Sequence, residues 1–226
     1  MANIEHSLED TLQRMLDIAL IIAVTADLAG VTLLATDDDL YTPYYIDPRS
    51  PRIDRTQYDH GRGPGLDAWR DGRIVHIADI DQVMNRYPDF VLEAKRHGVQ
   101  AVIGLPLPGH DRGRPVGTLS LYSRRAASFS DHDIETLSNI AELIGFVVVN
   151  ASAYRQATQL GQQLTEAMRS RAVIEQAKGV IMASTGTDSD GAFDLLRQQS
   201  QAENRKVRDL ATELVERQTH GAGPVR

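Results

Sequence analysis

The sequence predicts an α+β domain, an antiparallel sheet flanked by helices, followed by a small all-α bundle of three helices, the two joined by one long helix. Three observations predict this. Short apolar or alternating segments recur through the first two thirds of the chain, and residues 99–107 are almost continuously apolar. No proline interrupts Ser130 to Met182, which lets one helix run throughout. Residues 171–226 carry three apolar stripes at helical spacing. A chain of 226 residues has room for one domain of about 150 residues and a second small one.

In chain order, Ser7 and Asp10 fit the cap of a first helix whose Leu8, Leu12, Met15, Leu16, Ala19 and Leu20 form a broad apolar face. Strands are expected over residues 31–35, 73–77, 99–107 and 116–122, the last two paired across the turn 108–114 and the third buried on both faces. Residues 36–69 have too few strand signals for a sheet and read as a lid. Ser130 and Asp133 open the long helix. Along it Leu137, Ala141, Ile144, Val148 and Ala151 alternate in steps of four and three, the seam of a coiled coil. Leu160, Leu164 and Ala167 resume in a shifted phase near Gly161, which reads as a stutter. The expected organisation is a first domain over 1–150, a connecting helix over 131–170 that overlaps its end, a bundle over 165–218 and a disordered tail over 219–226. A parallel homodimer through the long helix is the expected assembly.

In the bundle, Val173, Ile174, Ala177, Ile181 and Met182 give the first stripe, with Gly186 as its stop. Thr187 and Asp190 fit a capping box for a second helix lined by Ala192, Phe193, Leu196 and Ser200. Asn204 is a favoured N-cap type before a third helix carrying Val207, Leu210, Ala211, Leu214 and Val215. From Arg169 to Arg217 there are eight Lys or Arg and eight Asp or Glu, so the position of the cations matters more than their sum. Arg205, Lys206 and Arg208 cluster at the start of the third helix, where free amides also favour a phosphate. Arg171 and Lys178 lie seven apart on the first helix, and with Arg197 facing them they would frame a cationic groove. The competing reading of each cation is a solvated charge or a weak surface pair, as with Glu175 beside Lys178 and Glu203 beside Lys206.

The segments RAVIEQAKGVIM (171–182), GAFDLLRQQS (191–200) and NRKVRDLATELV (204–215) together resemble the ANTAR family over residues 165–218. The resemblance implies a three-helix RNA-binding module that regulates transcription termination in bacteria by recognising hairpin loops in nascent transcripts. Its pattern includes Lys178, Arg197, Asn204, Arg205 and Lys206, and with Arg171 and Arg208 these are the expected RNA-binding residues. Two other readings stay open. One is a protein-interaction regulator in which the bundle docks a partner. The other is DNA binding through the last two helices, which Asp209, Glu213 and Glu216 oppose by repelling phosphate.

In the first domain, DRTQYDHGRGPGLDAW (54–69), RIVHIADI (73–80), IGLPL (103–107) and VGTLSLY (116–122) are similar to the GAF domains that accompany ANTAR modules in actinobacterial proteins. This implies a signal-sensing or dimerising domain with a small-molecule effector between sheet and covering loops. Tyr58, Trp69 and the amides after Gly65 are the expected ligand contacts, with Tyr41, Tyr44 and Tyr45 nearby. The competing reading is that these aromatics only cover the core and the domain is ligand-free. Where related domains carry Gly-Pro-Cys, this chain has Gly63, Pro64 and Gly65, which excludes thiol-based attachment.

Composition narrows the rest. The chain has no cysteine and a net charge of −7, which removes disulfides and thiolate chemistry and argues against bulk attraction to nucleic acid or membrane. The seven histidines show no metal-ligand spacing, and residues 61–65 lack the Lys and Ser or Thr of a phosphate loop. His76 reads as a packed or surface histidine, and the acidic run 37–39 as a solvated turn. No nucleophile sits beside a base. The sequence therefore predicts no enzymatic activity, no metal and no cofactor beyond an unidentified effector. The apolar run 18–24 is far short of a membrane span and no basic segment precedes it, so a cytoplasmic protein is expected.

Overall fold

The computed structural model describes residues 2–35, 39–109 and 113–221. The chain divides into two compact units, residues 1–153 and 154–226. In unit 1 the strands β1 (Leu28–Leu34), β2 (Leu40–Tyr45), β3 (Val75–Ile77), β4 (Ala101–Leu107) and β5 (Gly117–Ser123) form one antiparallel sheet in the order β2-β1-β5-β4-β3. Side chains alternate across it, as the period of a strand requires. Ala29, Val31, Ile103, Leu105, Leu119 and Leu121 pack with Leu12 and Leu16 of α1 (Ala2–Ile22) and Leu137, Ile144 and Val148 of α5 (Asp131–Thr185). On the opposite face Leu28, Val102 and Tyr122 meet Ile53 of α2 (Ser50–Asp59) and Phe90, Val91 and Ala94 of α4 (Pro88–Arg96). The remaining helix of that face, α3 (Pro64–Asp71), lies close enough to β4 that a Cβ on Gly104 would come 3.2 Å from the Gly65 Cα.

The expected lid is regular structure. Residues 40–45 are edge strand β2, which tolerates Pro43 because an edge has a free side. Residues 50–59 and 64–71 are α2 and α3, each with proline in its first turn. Asp37 and Asp38 of the acidic run, and residues 110–112 of the turn before β5, lie outside the described residues. Helix α1 reaches back to Ala2, so Ser7 lies inside it rather than capping it. The cap of α5 is as expected: the Ser130 backbone N–H donates to Asp133 Oδ2 at 2.9 Å and the Asp133 N–H donates to Ser130 Oγ at 3.2 Å.

The long helix corrects the coiled-coil register. Leu137, Ala141, Ile144 and Val148 are buried in the core of unit 1, so this stripe faces the sheet and cannot form a seam with another chain. The helix is unbroken at Gly161. The shift of phase that reads as a stutter is instead a change of face, because α5 carries two apolar stripes. One stretch of α5 has a mean hydropathy of 1.3 and is long enough to cross a membrane by length and composition alone. Its buried residues account for much of that apolarity.

Unit 2 consists of the later part of α5, α6 (Ser189–Glu203) and α7 (Val207–Gly221). Ala177, Leu196 and Ala211 are its buried centre, with Val173, Ile174, Ile181, Val207, Leu214 and Val215 packed partly around them. Phe193 and Met182, expected on apolar faces, are 40% and 37% exposed. Helix α5 stops at Thr185, and Gly186 turns the chain with φ of 72°. The cap of α6 is Asp188, not Thr187: its carboxylate accepts from the Gly191 N–H at 2.8 Å. Asn204 does not open α7 but ends α6, in the left-handed conformation with φ of 52°. Asparagine is favoured at both kinds of helix end, which is why its spacing alone points to the wrong one. Helix α7 continues to Gly221, and residues 222–226 lie outside the described residues.

Candidate functional site

Asn204 sets the geometry of the cationic corner of unit 2. By reversing the chain after α6 it places Arg205 and Lys206 in the turn and Arg208 in the first turn of α7. Most of these charges already have acidic partners. Arg205 pairs with Glu203 at 3.1 Å and Glu213 at 2.8 Å, and Arg208 pairs with Glu166 at 2.7 Å and Asp209 at 3.4 Å. Lys178 pairs with Glu175 at 3.0 Å and Arg197 with Asp194 at 3.2 Å. The hydrogen bond from Arg205 holds Glu213 below its usual range, while Gln199 first and Arg205 second do the same for Glu203. Arg171 and Lys206 are exposed and make no salt bridge among the described residues.

The three helices of unit 2 also frame a groove of about 740 Å³. Its floor is apolar, from Ile181, Leu196, Leu210 and Leu214, and Gln198, Gln199, Glu213 and Arg217 stand on its rim. Of the seven expected RNA contacts only Arg205 lines it. Arg171, Lys178 and Arg197 do not line it.

The expected ligand contacts of unit 1 are engaged by the protein itself. The Gly65 and Leu66 N–H groups donate to Gln57 Oε1 at 2.8 and 3.4 Å, so these amides are not open to an anion. Trp69 is buried, donates from Nε1 to the Pro115 carbonyl at 2.9 Å, and is stacked by the Arg114 guanidinium at 3.9 Å. Tyr58 turns its hydroxyl inward to Thr32 and Thr42. Tyr41 and Tyr45 are exposed.

A further group is buried here that sequence reasoning missed. Asp54 of α2 lies fully inside, where its Oδ1 accepts from the Tyr122 hydroxyl and its Oδ2 from Thr42 Oγ1 at 3.1 Å. Burial raises its pKa from 3.8 to about 6, against the opposing effect of those two hydrogen bonds. Burial first and the Asp54 charge second push both the Tyr58 and Tyr122 phenols upward. Asp54 sits in IDRTQYD with Arg52 and Arg55 close by in sequence, so nothing in its spacing separates it from a surface carboxylate. Asp67 is held by Arg86 at 2.8 Å and by the Tyr87 hydroxyl at 2.7 Å, and His76 meets the Phe129 ring edge-on. Among the described residues no group of His, Asp and Glu is arranged to hold a metal.

The GAF domain family matches residues 5–149 and the ANTAR domain family matches residues 162–215. The chain belongs to the GAF and ANTAR domain-containing regulators. In such regulators ANTAR domains bind RNA in transcription antitermination, and GAF domains are sensory. Solved GAF domains share the fold of unit 1 in this regulator. One from Synechocystis sp., in its photoproduct state, has a TM-score of 0.54 at 13% identity, covering 66% of this chain and 98% of its own. The GAF domain region of a Geobacter sulfurreducens protein gives 0.53 at 19% identity, with 65% and 96% covered. The GAF domain of an Acinetobacter phosphoenolpyruvate-protein phosphotransferase gives 0.51 at 16% identity, with 66% and 86% covered. No curated protein matches the regulator significantly in sequence.

Proposed function

We propose that the chain is a non-enzymatic, cytoplasmic RNA-binding antiterminator that acts as a parallel homodimer, with its GAF domain receiving the signal. The observation that carries this reading is the ANTAR match over a three-helix unit whose Asn204 turn presents Arg205, Lys206 and Arg208 together. Lys206 and Arg171, exposed and without a salt bridge among the described residues, offer their charge to phosphate. Arg205, Arg208 and Arg197 exchange a carboxylate for a phosphate at little cost, since exposed ion pairs are worth only about 0–1 kcal/mol, whereas Lys178 is largely covered and would have to turn outward to do so. Asn204 serves by holding the turn.

The dimer reading rests on the second stripe of α5. Leu143, Phe146, Leu160 and Leu164 are exposed by 56–67%. With Asn150, Ala153, Ala157 and Ala167 they keep one unbroken alternation of three and four, and Asn150 falls where a polar residue specifies a two-stranded register. Leu160→Glu is expected to give a monomer. A strictly monomeric wild type at micromolar concentration, with and without RNA, would sink the dimer.

The test of the main reading is binding of the full chain to paired short RNA hairpins, against loop-scrambled hairpins and duplex DNA, at about 150 mM salt to suppress nonspecific attraction. Loop-dependent binding that weakens roughly threefold to tenfold in Lys206→Ala is expected. Equal binding to all three nucleic acids, or to none, counts against it. The half-exposed Phe193 and Leu195 favour a second reading, in which unit 2 docks a protein. Substituting them with Ser would then abolish partner capture without touching RNA affinity.

A further inference from the structure

The buried acid of unit 1 belongs neither to the Asn204 corner nor to the exposed stripe of α5. We infer that Asp54 and the hydroxyls around it form a proton-responsive site, in which loss of the carboxyl proton loosens α2 from the sheet. Asp54 belongs to α2, yet both its oxygens are bound by the sheet, through Tyr122 of β5 and Thr42 of β2. Gln57 of α2 adds a longer contact at 3.4 Å and also donates to the Tyr122 hydroxyl at 3.2 Å. The carboxyl is thus the polar joint between helix and sheet.

No cation compensates it among the described residues. The titratable groups that face it are Tyr58 from α2 and Tyr122 from β5, both phenols held neutral. From β1 comes Thr32, from β2 Thr42, and from α3 only the Gly65 backbone by way of Gln57. Helix α4 presents Phe90 and Val91, while its Asp89 pairs with His60 beyond the end of α2 at 3.8 Å. Arg55 and Asp59 of α2 pair with each other at 3.5 Å on the exposed side. An ionised Asp54 is therefore a lone buried anion, which is costly however well hydrogen-bonded.

The structure also contains a route for the proton. Thr42 and Tyr58 line an open groove of about 500 Å³ between β2 and α2. Thr42 Oγ1 lies 3.1 Å from each of Thr32 Oγ1, the Tyr58 hydroxyl and Asp54 Oδ2. A proton delivered to Thr42 Oγ1, which lines the groove, lets Thr42 pass its own hydrogen to Asp54 Oδ2. The net change is one O–H bond formed on the carboxyl, with the Thr42 hydroxyl reversed and no heavy atom moved. The neutral acid then donates to Thr42 and still accepts from Tyr122.

The proton-responsive site lies in unit 1 alone and stands whether or not unit 2 binds RNA. The test is carbon-detected titration of the Asp54 carboxyl in the full chain, with amide-exchange protection of α2 corrected for intrinsic rates across pH 5–8. The expected result is a one-proton transition near pH 6, with protection of α2 about tenfold lower on its alkaline side. Asp54→Asn should give protection that does not change over the range. A carboxyl that stays in one state throughout, or an Asp54→Asn protein with the same loss of protection, overturns the inference. If that variant fails to fold, Thr42→Val decides it: losing the hydrogen bond that favours the carboxylate should move the Asp54 midpoint upward, and an unmoved midpoint overturns the inference.

Discussion

On the sheet face that meets α1 and α5, Ala29, Val31, Ile103, Leu105, Leu119 and Leu121 are all apolar. One residue along the same strands, the face that meets α2 and α3 carries Thr32, Gly104, Thr118 and Ser120. Both faces are buried, but they hold their helices differently. The first depends on area removed from water, which is non-directional and indifferent to charge. The second adds to its apolar cluster of Leu28, Val102 and Tyr122 a close backbone approach and directed bonds, such as Thr118 Oγ1 to the Gly65 carbonyl at 3.1 Å. Two polar atoms there, Ser50 Oγ and Ser120 Oγ, are buried with no hydrogen bond of normal geometry among the described residues. A face built this way can be disturbed by a single proton, and the other cannot.

The largest effect should come from the apolar face. Leu119→Ala removes a fully buried side chain and is expected to cost about 3–4 kcal/mol of unit 1 stability, the range for a core cavity, independent of pH from 5 to 8. Denaturation followed through Trp69, the single tryptophan of the chain, reads unit 1 specifically. A pH-dependent cost would break the contrast between the faces.

Next in size is the pH dependence itself. The folded pKa of Asp54, about 6, lies above its ordinary value of 3.8, so the folded state holds this proton more tightly. Stability from the neutral acid is full below about pH 4, is lost as pH rises through about 6, and stays lost above it. The gap between those two values is worth about 3 kcal/mol. Asp54→Asn should remove this slope and exceed the wild type in stability at pH 8. Parallel stability curves for the two proteins between pH 4 and 7 would refute it.

The same contrast explains what was legible in the sequence. The apolar face announces itself: the runs that become β4 and β5, the stripe of α1, and the Ser130 to Asp133 cap of α5 all follow from periodicity. The polar face does not. Residues 50–59 are mostly polar, yet Ser50, Asp54 and Gln57 are buried, and no alternation rule marks a carboxylate that goes inside. Pro43 hid an edge strand, because an edge is defined by its neighbours and not by its own residues. The cationic corner of unit 2 was legible as residue types, but not the role of Asn204 or the acids that neutralise Arg205 and Arg208. Those pairs join residues as far apart as Glu166 and Arg208, a separation only the fold closes.

Gly104→Ala tests the close approach. Its Cβ would lie 3.2 Å from both the Gly65 Cα and the Pro64 carbonyl oxygen, backbone atoms that yield only if α3 moves. A cost of about 2 kcal/mol is expected, with a change in Trp69 emission because Trp69 rides on the same helix. An unperturbed spectrum and full stability would show that the gap is looser than the contact distance implies.

The smallest effect separates directed bonding from shape. Thr118 and Leu119 are neighbours on β5 facing opposite sides, so one strand supplies both controls. Thr118→Val keeps the volume and branching of the side chain and deletes only the hydroxyl that reaches Gly65. The expected cost is about 1 kcal/mol, that of one buried hydrogen bond, with the exchange protection of α3 amides reduced and that of α1 unchanged. A neutral or stabilising result would mean that α3 is held by backbone approach alone, leaving the hydroxyls of this face to the Asp54 network.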